Sequence, residues 1–328
     1  MTTVAAGSRP RARSTDHPSG APRTSRLFAL LGLAGGVGLV FTLFTLSGGS
    51  YTLLLGQLRS ADTGPLVFAA FGALALTALQ SLRWWVAVRN VAPVTLWQAC
   101  RGRAIGNLFN AFLPARGGDL VRARYVGALS GTATARILGT QVVDLCGDKF
   151  GWLGAFAVVC LLGKPPRALL LAVLPMSAIA LFLTAAVALM GSGIGRQRGW
   201  LWVRALRDGF DRETWKRLLL LELVVGPLPW LWEALVVLVS ARAVGLHLGP
   251  VEAFGVLTAF NLAMAVPTPG NVGTMESGGA AALVQFGAAP ETALAFMVLY
   301  HLVQIVPNSC AGALVLLEGV LLPAAAEP

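Results

Sequence analysis

Charge is what this chain has little of. Only 12% of its 328 residues are Asp, Glu, Lys or Arg, about half the share of a soluble domain. Hydrophobic residues make up 56%, and the mean hydropathy is +0.71. These values exclude a soluble globular protein and leave an integral membrane protein. Acidic residues are scarcer than basic ones, 15 against 25. In a soluble chain that surplus would raise nucleic-acid binding. Here the arginines stand beside apolar runs, where they set orientation in a membrane, so no nucleic-acid partner is expected. Cys100, Cys146, Cys160 and Cys310 form no C-x-x-C pair and read as small packing residues. No G-x-x-x-x-G-K-[ST] loop is present, so ATP hydrolysis is not expected of this chain. Aspartate-rich metal motifs and a nucleophile–base constellation are missing too. No cofactor, no metal and no enzymatic activity are expected.

What is there is a succession of apolar runs. Residues 1–26 are polar and rich in Pro, Ser, Thr and Arg, the composition of a disordered tail. Arg9, Arg11, Arg13, Arg23 and Arg26 precede the first apolar run, 27–46, which places the N-terminus in the cytoplasm. Gly32 and Gly36 give that run a G-x-x-x-G of the kind that permits close helix contact. A second span, 65–82, ends in Arg83-Trp84-Trp85, which reads as an interfacial anchor, and most of the nine tryptophans read as interfacial belts. Residues 96–113 carry Arg101, Arg103, Asn107 and Asn110, too polar for a lipid-facing span, and suggest a re-entrant element. Further spans are expected over 133–162, 168–190 and 218–240, the last kinked at Gly226-Pro227-Leu228-Pro229. The loop 191–217 between them is strongly basic and should be cytoplasmic. The last apolar stretch, 292–322, is long for one helix and short for two.

The chain is organised around residues 267–276, Pro-Thr-Pro-Gly-Asn-Val-Gly-Thr-Met-Glu. The runs on either side, 251–266 and 277–286, are each too short for a crossing, which needs about 20 residues. Two half-length helices meeting at such a turn read as a broken or re-entrant helix. Its exposed backbone groups are tolerated at membrane depth only inside protein or beside a wet cavity. A plain loop between two interfacial helices is the alternative. Aligning Pro114 with Pro267 brings Gly117 onto Gly270, and span, broken element, span then recurs twice, once from each side of the membrane. The expected fold is therefore an all-α polytopic bundle with two re-entrant helices in an inverted repeat, as in many secondary transporters.

At these turns the sequence resembles a known family, the flippase-like transmembrane region of lysylphosphatidylglycerol synthases and its stand-alone relatives. Residues 113–122, Leu-Pro-Ala-Arg-Gly-Gly-Asp-Leu-Val-Arg, are similar to the family's first motif. Residues 267–276 are similar to its second, departing at Asn271, where glycine is usual. The resemblance covers roughly residues 27–322. It implies a multi-pass domain, 27–323, in the plasma membrane, related to lipid translocation. It does not imply lysyl transfer, which belongs to an appended soluble domain in the bifunctional synthases.

Candidate binding residues follow from the two turns. Arg116 and Arg122 carry guanidinium donors suited to phosphate oxygens, and Gly117, Gly118 and Asp119 open a helix whose N-terminal amides favour anions. In the second turn the candidates are Pro267, Pro269, Gly270, Gly273 and Glu276. Glu276 is expected to pair with an arginine of the other turn or to carry a proton. Asp144 and Asp148, four apart on one helical face, have two readings: ion or proton coupling, or pairing with Arg136 or Lys149. Glu222, Glu233 and His301 are weaker candidates, and Arg124 has a possible phosphate role against that of a simple anchor. Two function classes fit: a translocator of an anionic phospholipid or polyprenyl-phosphate-linked lipid, or a membrane-embedded enzyme or accessory subunit acting on lipid-linked substrates. Membrane lipids are the expected partners, with a homo-oligomer or a lipid-modifying enzyme as further ones.

Overall fold

A computed structural model describes residues 23–113, 116–191 and 224–321. Eleven helices lie among them: α1 (Arg23–Leu46), α2 (Tyr51–Arg59), α3 (Thr63–Val88), α4 (Leu96–Asn110), α5 (Gly118–Ser130), α6 (Thr134–Leu162), α7 (Arg167–Gly191), α8 (Pro227–Ser240), α9 (Pro250–Ala263), α10 (Thr274–Gln285) and α11 (Pro290–Leu321). No strand is present among the described residues. Among them, α3, α6, α7, α11 and α8 with its terminal turn are long and apolar enough to cross a membrane. The protein is thus a multi-pass helical membrane bundle.

Local chemistry sets the helix ends. The Asp62 carboxylate accepts from the Gly64 amide and caps α3. Thr95 and Gln98 form a reciprocal capping box at α4, satisfying two of the amides a helix start leaves open. Pro250 and Pro290 occupy first-turn positions of α9 and α11, where a missing N–H costs nothing. Several bounds differ from the sequence expectation. Helix α1 starts at Arg23, four residues inside the expected tail; the rest of that tail, the basic loop 192–217 and Glu222 lie outside the described residues. The connection 47–64 holds a short helix, α2, turned 108° from the end of α1. Residues 290–321 form one helix, with Pro307 inside it.

The order long helix, helical hairpin, long helix occurs twice, as α3-α4-α5-α6 and α8-α9-α10-α11. A shift of 153 residues, Pro114 onto Pro267, carries α4 to 249–263, against the observed Pro250–Ala263. Packing repeats with it. Helix α4 pairs with α5 as α9 does with α10; α4 lies on α11 as α9 lies on α6; α3 lies on α11 as α8 lies on α6; and α3 and α8 meet each other.

The larger core joins the second unit to α6. Trp152 stacks on Phe254 and donates its indole N–H to Thr258, and Phe260, Phe296 and Tyr300 fill the space beside them. A smaller core binds α3 to the first hairpin and the start of α6 through Trp84, Ala99, Ala123, Val126 and Ile137. Trp84, Trp152 and Trp230 are buried core residues with hydrogen-bonded indoles, not belt residues. An indole N–H at membrane depth needs such a partner. The outward faces carry Phe71, Leu161, Leu171, Leu174 and Phe182, all exposed, as lipid contact requires. None of the four cysteines is joined in a disulfide.

Candidate functional site

The two breaks meet. Gly270, at the tip of the second hairpin, lies so close to the first that an added Cβ would sit 2.8 Å from the Ala111 carbonyl oxygen. Two confluent cavities open around this contact, of about 440 and 470 Å³. Gln80, Arg116, Lys149 and Asn261 line both, so they form one chamber with two lobes.

The first lobe is a charged cage. Arg122 from α5, Arg103 from α4 and Arg83 from α3 converge on α6, which contributes Asp144, Asp148 and Lys149. Arg83 Nε donates to Asp144 Oδ1 at 2.8 Å, and an Arg103 terminal nitrogen donates to Asp144 Oδ2 at 2.9 Å. Arg83 also reaches Asp148 at 3.3 Å, and Lys149 pairs with Asp148 at 2.9 Å. The guanidinium of Arg122 stacks on Trp84, 4.5 Å from the ring centre, and lies 3.5 Å from Asp119. Arg116 pairs with Asp119 at 3.0 Å while two-thirds of its side chain stays exposed. The Nε–H groups of Arg103 and Arg122 are buried without a partner. A buried charged donor left unmade costs a few kcal/mol, so the cage carries two unmet donors.

The second lobe is polar and largely uncharged. Thr77 donates to Asn308 Oδ1 at 2.7 Å and accepts from Asn107, tying α3, α4 and α11 together. Asn110 accepts from the Gly118 amide, closing the first tip. At the second tip Gly270 has φ 60° and Gly273 φ 88°, left-handed values that glycine adopts without strain. A Cβ on Gly273 would overlap the Gly36 carbonyl of α1, and one on Gly36 would overlap the Val272 carbonyl. The first helix therefore crosses the second tip in backbone contact. Asn271 also lies in the left-handed region, φ 59°. Asparagine visits it more readily than other side chains.

Most of the residues singled out from the sequence gather here. Arg116, Asp119, Arg122, Asp144 and Asp148 line the first lobe, and Gly270 lines the second. Gly117 is the N-cap of α5, and Gly118 packs against the Gly106 carbonyl. Pro269 opens the turn at the second tip, and Pro267 is exposed beside it. Pro114 and Ala115 lie outside the described residues. Lys149 pairs with Asp148, as one of the two readings had it, and Asp144 also binds Arg83 and Arg103, because α3 and α4 lay guanidiniums against α6. Two expectations need correction. Glu276 hydrogen-bonds His301 at 2.6 Å, not an arginine of the first turn; the α10 start is nearer α11 than the cage. Arg83 is 5% exposed and no interfacial anchor; α3 runs on to Val88, so its charge lies inside the bundle. Arg83, Arg103, Asn261 and His301 belong to the site more than spacing indicated. The signal for each was a polar residue within an apolar helix.

No curated protein matches the chain. The family model described as the lysylphosphatidylglycerol synthase TM region matches residues 29–312, a range that includes both hairpins, the cage and the lobe between the tips. The chain belongs to that family.

Proposed function

We propose that the protein is a flippase-like translocator that moves an anionic phospholipid or a polyprenyl-phosphate-linked lipid across the plasma membrane. One observation carries this reading: Arg103 and Arg122, which line a chamber between two helix breaks, each keep a buried guanidinium N–H without a partner. Phosphate oxygens complement such donors. A headgroup held by them would lie near Arg116, whose exposed side chain can follow it from the cage into the second lobe. Acyl or prenyl chains would stay in the lipid against the apolar outer faces.

The repeated order of elements supports alternating access: in this reading the two four-helix units run in opposite directions through the membrane, the N-terminus is cytoplasmic, and each hairpin tip closes the chamber toward one side. The work is movement without covalent change in the lipid. The test is reconstitution in liposomes with fluorescent lipids of anionic, zwitterionic and polyprenyl-phosphate headgroups. Anionic headgroups should cross, and Arg122→Gln should slow them while the protein stays folded. Covalent alteration of a lipid without movement would overturn the reading.

A further inference from the structure

Both nitrogens of the His301 ring face acceptors. Nδ1 lies 2.6 Å from Glu276 Oε1, and Nε2 lies 2.9 Å from the Gly270 carbonyl oxygen. A neutral imidazole has one N–H, and a carboxylate has none to give. Two arrangements make both bonds. An imidazolium donates to Glu276 and to Gly270, or a protonated Glu276 donates to Nδ1 while Nε2–H donates to Gly270. The proton count is the same in each, one more than a neutral histidine beside a carboxylate. That proton is part of the geometry of the second tip. Glu276 Oε2 accepts from the Gly273 amide at 2.8 Å, so the pair ties Gly270, Gly273 and α11 together.

The pair also divides two spaces. His301 lines the second lobe of the chamber. Glu276 and Ser277 line a separate, mainly apolar cavity of about 260 Å³ where α1 meets α10 and α11, with Phe44 and Leu294 on its walls. The Ser277 hydroxyl is buried without a partner, a polar atom able to hold a water beside Glu276. Other charges facing the pair are few. Arg116 of the first tip and Lys149 of α6 line the same lobe; α3 and α4 present amides and the Thr77 hydroxyl there. On α8, Glu233 lies 3.5 Å from Tyr300, next in sequence to His301. On α11 itself, Glu291 binds the Ser50 amide before α2, and Glu318 pairs with Arg101 of α4.

We propose that Glu276 and His301 are the proton-binding site through which a proton gradient drives the translocator. The inference rests on the reading above and adds its energy source. With the proton bound, the second tip is clasped to α11. When it leaves, the Gly270 carbonyl or the Glu276 oxygen loses its donor and the tip is free to move. The proton enters at Glu276 from the cavity beside α1 and departs from His301 into the chamber.

The experiment uses the full chain in liposomes with a fluorescent anionic phospholipid and an imposed pH difference. If one proton moves per lipid, each pH unit should bias the steady-state lipid distribution about tenfold, and a protonophore should abolish the bias. Glu276→Gln can keep both hydrogen bonds, with its amide donating to Nδ1 and accepting from Gly273, so it should fold with an unchanged thermal midpoint yet lose the bias. Lipid that moves to the same distribution with and without the gradient would overturn the proposal and leave the translocator reading intact. Absence of all lipid movement would instead sink the translocator reading. Whatever the transport result, nitrogen-15 spectra of His301 and the infrared carboxyl band decide the site. Either an imidazolium or a protonated carboxyl lost in Glu276→Gln is expected, and neutral histidine beside a carboxylate would refute it.

Discussion

Asp144→Asn removes the charge at the centre of the cage, and its cost can be reasoned from the contacts. Asp144 is 6% exposed and accepts from two guanidiniums, at 2.8 and 2.9 Å. The amide keeps one acceptor oxygen but turns an NH2 group toward a cation, leaving Arg103 buried with an uncompensated charge. Breaking a buried pair in this way costs about 3–5 kcal/mol, a fall of roughly 10 °C in thermal midpoint for a domain of a few hundred residues. The comparison is Glu318→Gln, which breaks the Arg101–Glu318 pair at 3.0 Å, with the Glu318 side chain 47% exposed. An exposed pair is worth less than about 1 kcal/mol. Thermal unfolding of the purified protein in one detergent separates the two. Adding Arg103→Gln to Asp144→Asn removes the orphaned charge and should restore part of the loss, since neighbours in one network do not add. Equal effects of Asp144→Asn and Glu318→Gln, or no recovery in the double variant, would refute the reasoning.

Four further outcomes follow from the same geometry. Gly273→Ala and Gly36→Ala should each lower the thermal midpoint, since both carbons meet backbone carbonyls across the α1 crossing, whereas Gly38→Ala, with open space around it, should leave it unchanged. Arg122→Gln should weaken binding of an anionic lipid roughly ten- to hundredfold, the loss of a charge-assisted hydrogen bond worth about 1.5–3 kcal/mol, measured by native mass spectrometry of lipid retention. Arg124→Gln, at an exposed position, should leave retention unchanged in the same measurement. Trp84→Leu should weaken retention less than Arg122→Gln, because it removes the ring on which that guanidinium stacks but not the charge.

The helices and the two breaks were legible because hydropathy and Pro/Gly turns are local signals. The apolar halves 251–266 and 277–286 correspond to α9 and α10 within a few residues, and the alignment of Pro114 with Pro267 anticipated the doubled order of elements. Pairing was not legible. Asp144 and Lys149 lie on one helix, but Arg83 and Arg103 reach Asp144 from 61 and 41 residues away, and no spacing rule encodes that. Arg83 misled because it follows the apolar run 65–82 immediately, where an anchor is common; only the extension of α3 to Val88 puts it inside. His301 carried too little signal by itself. Its meaning depends on Gly270 and Glu276, which the second tip folds back onto α11.

Passage of a charged headgroup requires the space between the two tips to be wet and open. Asn261 lines both lobes, so the direct measurement is labelling of an Asn261→Cys variant, made in a background free of the four native cysteines, with a charged thiol reagent. The expected result is rapid labelling that added anionic lipid suppresses and zwitterionic lipid does not. A thiol there that stays unreactive to the charged reagent, yet reacts with a lipid-soluble one, would mean a dry interior and contradict the account.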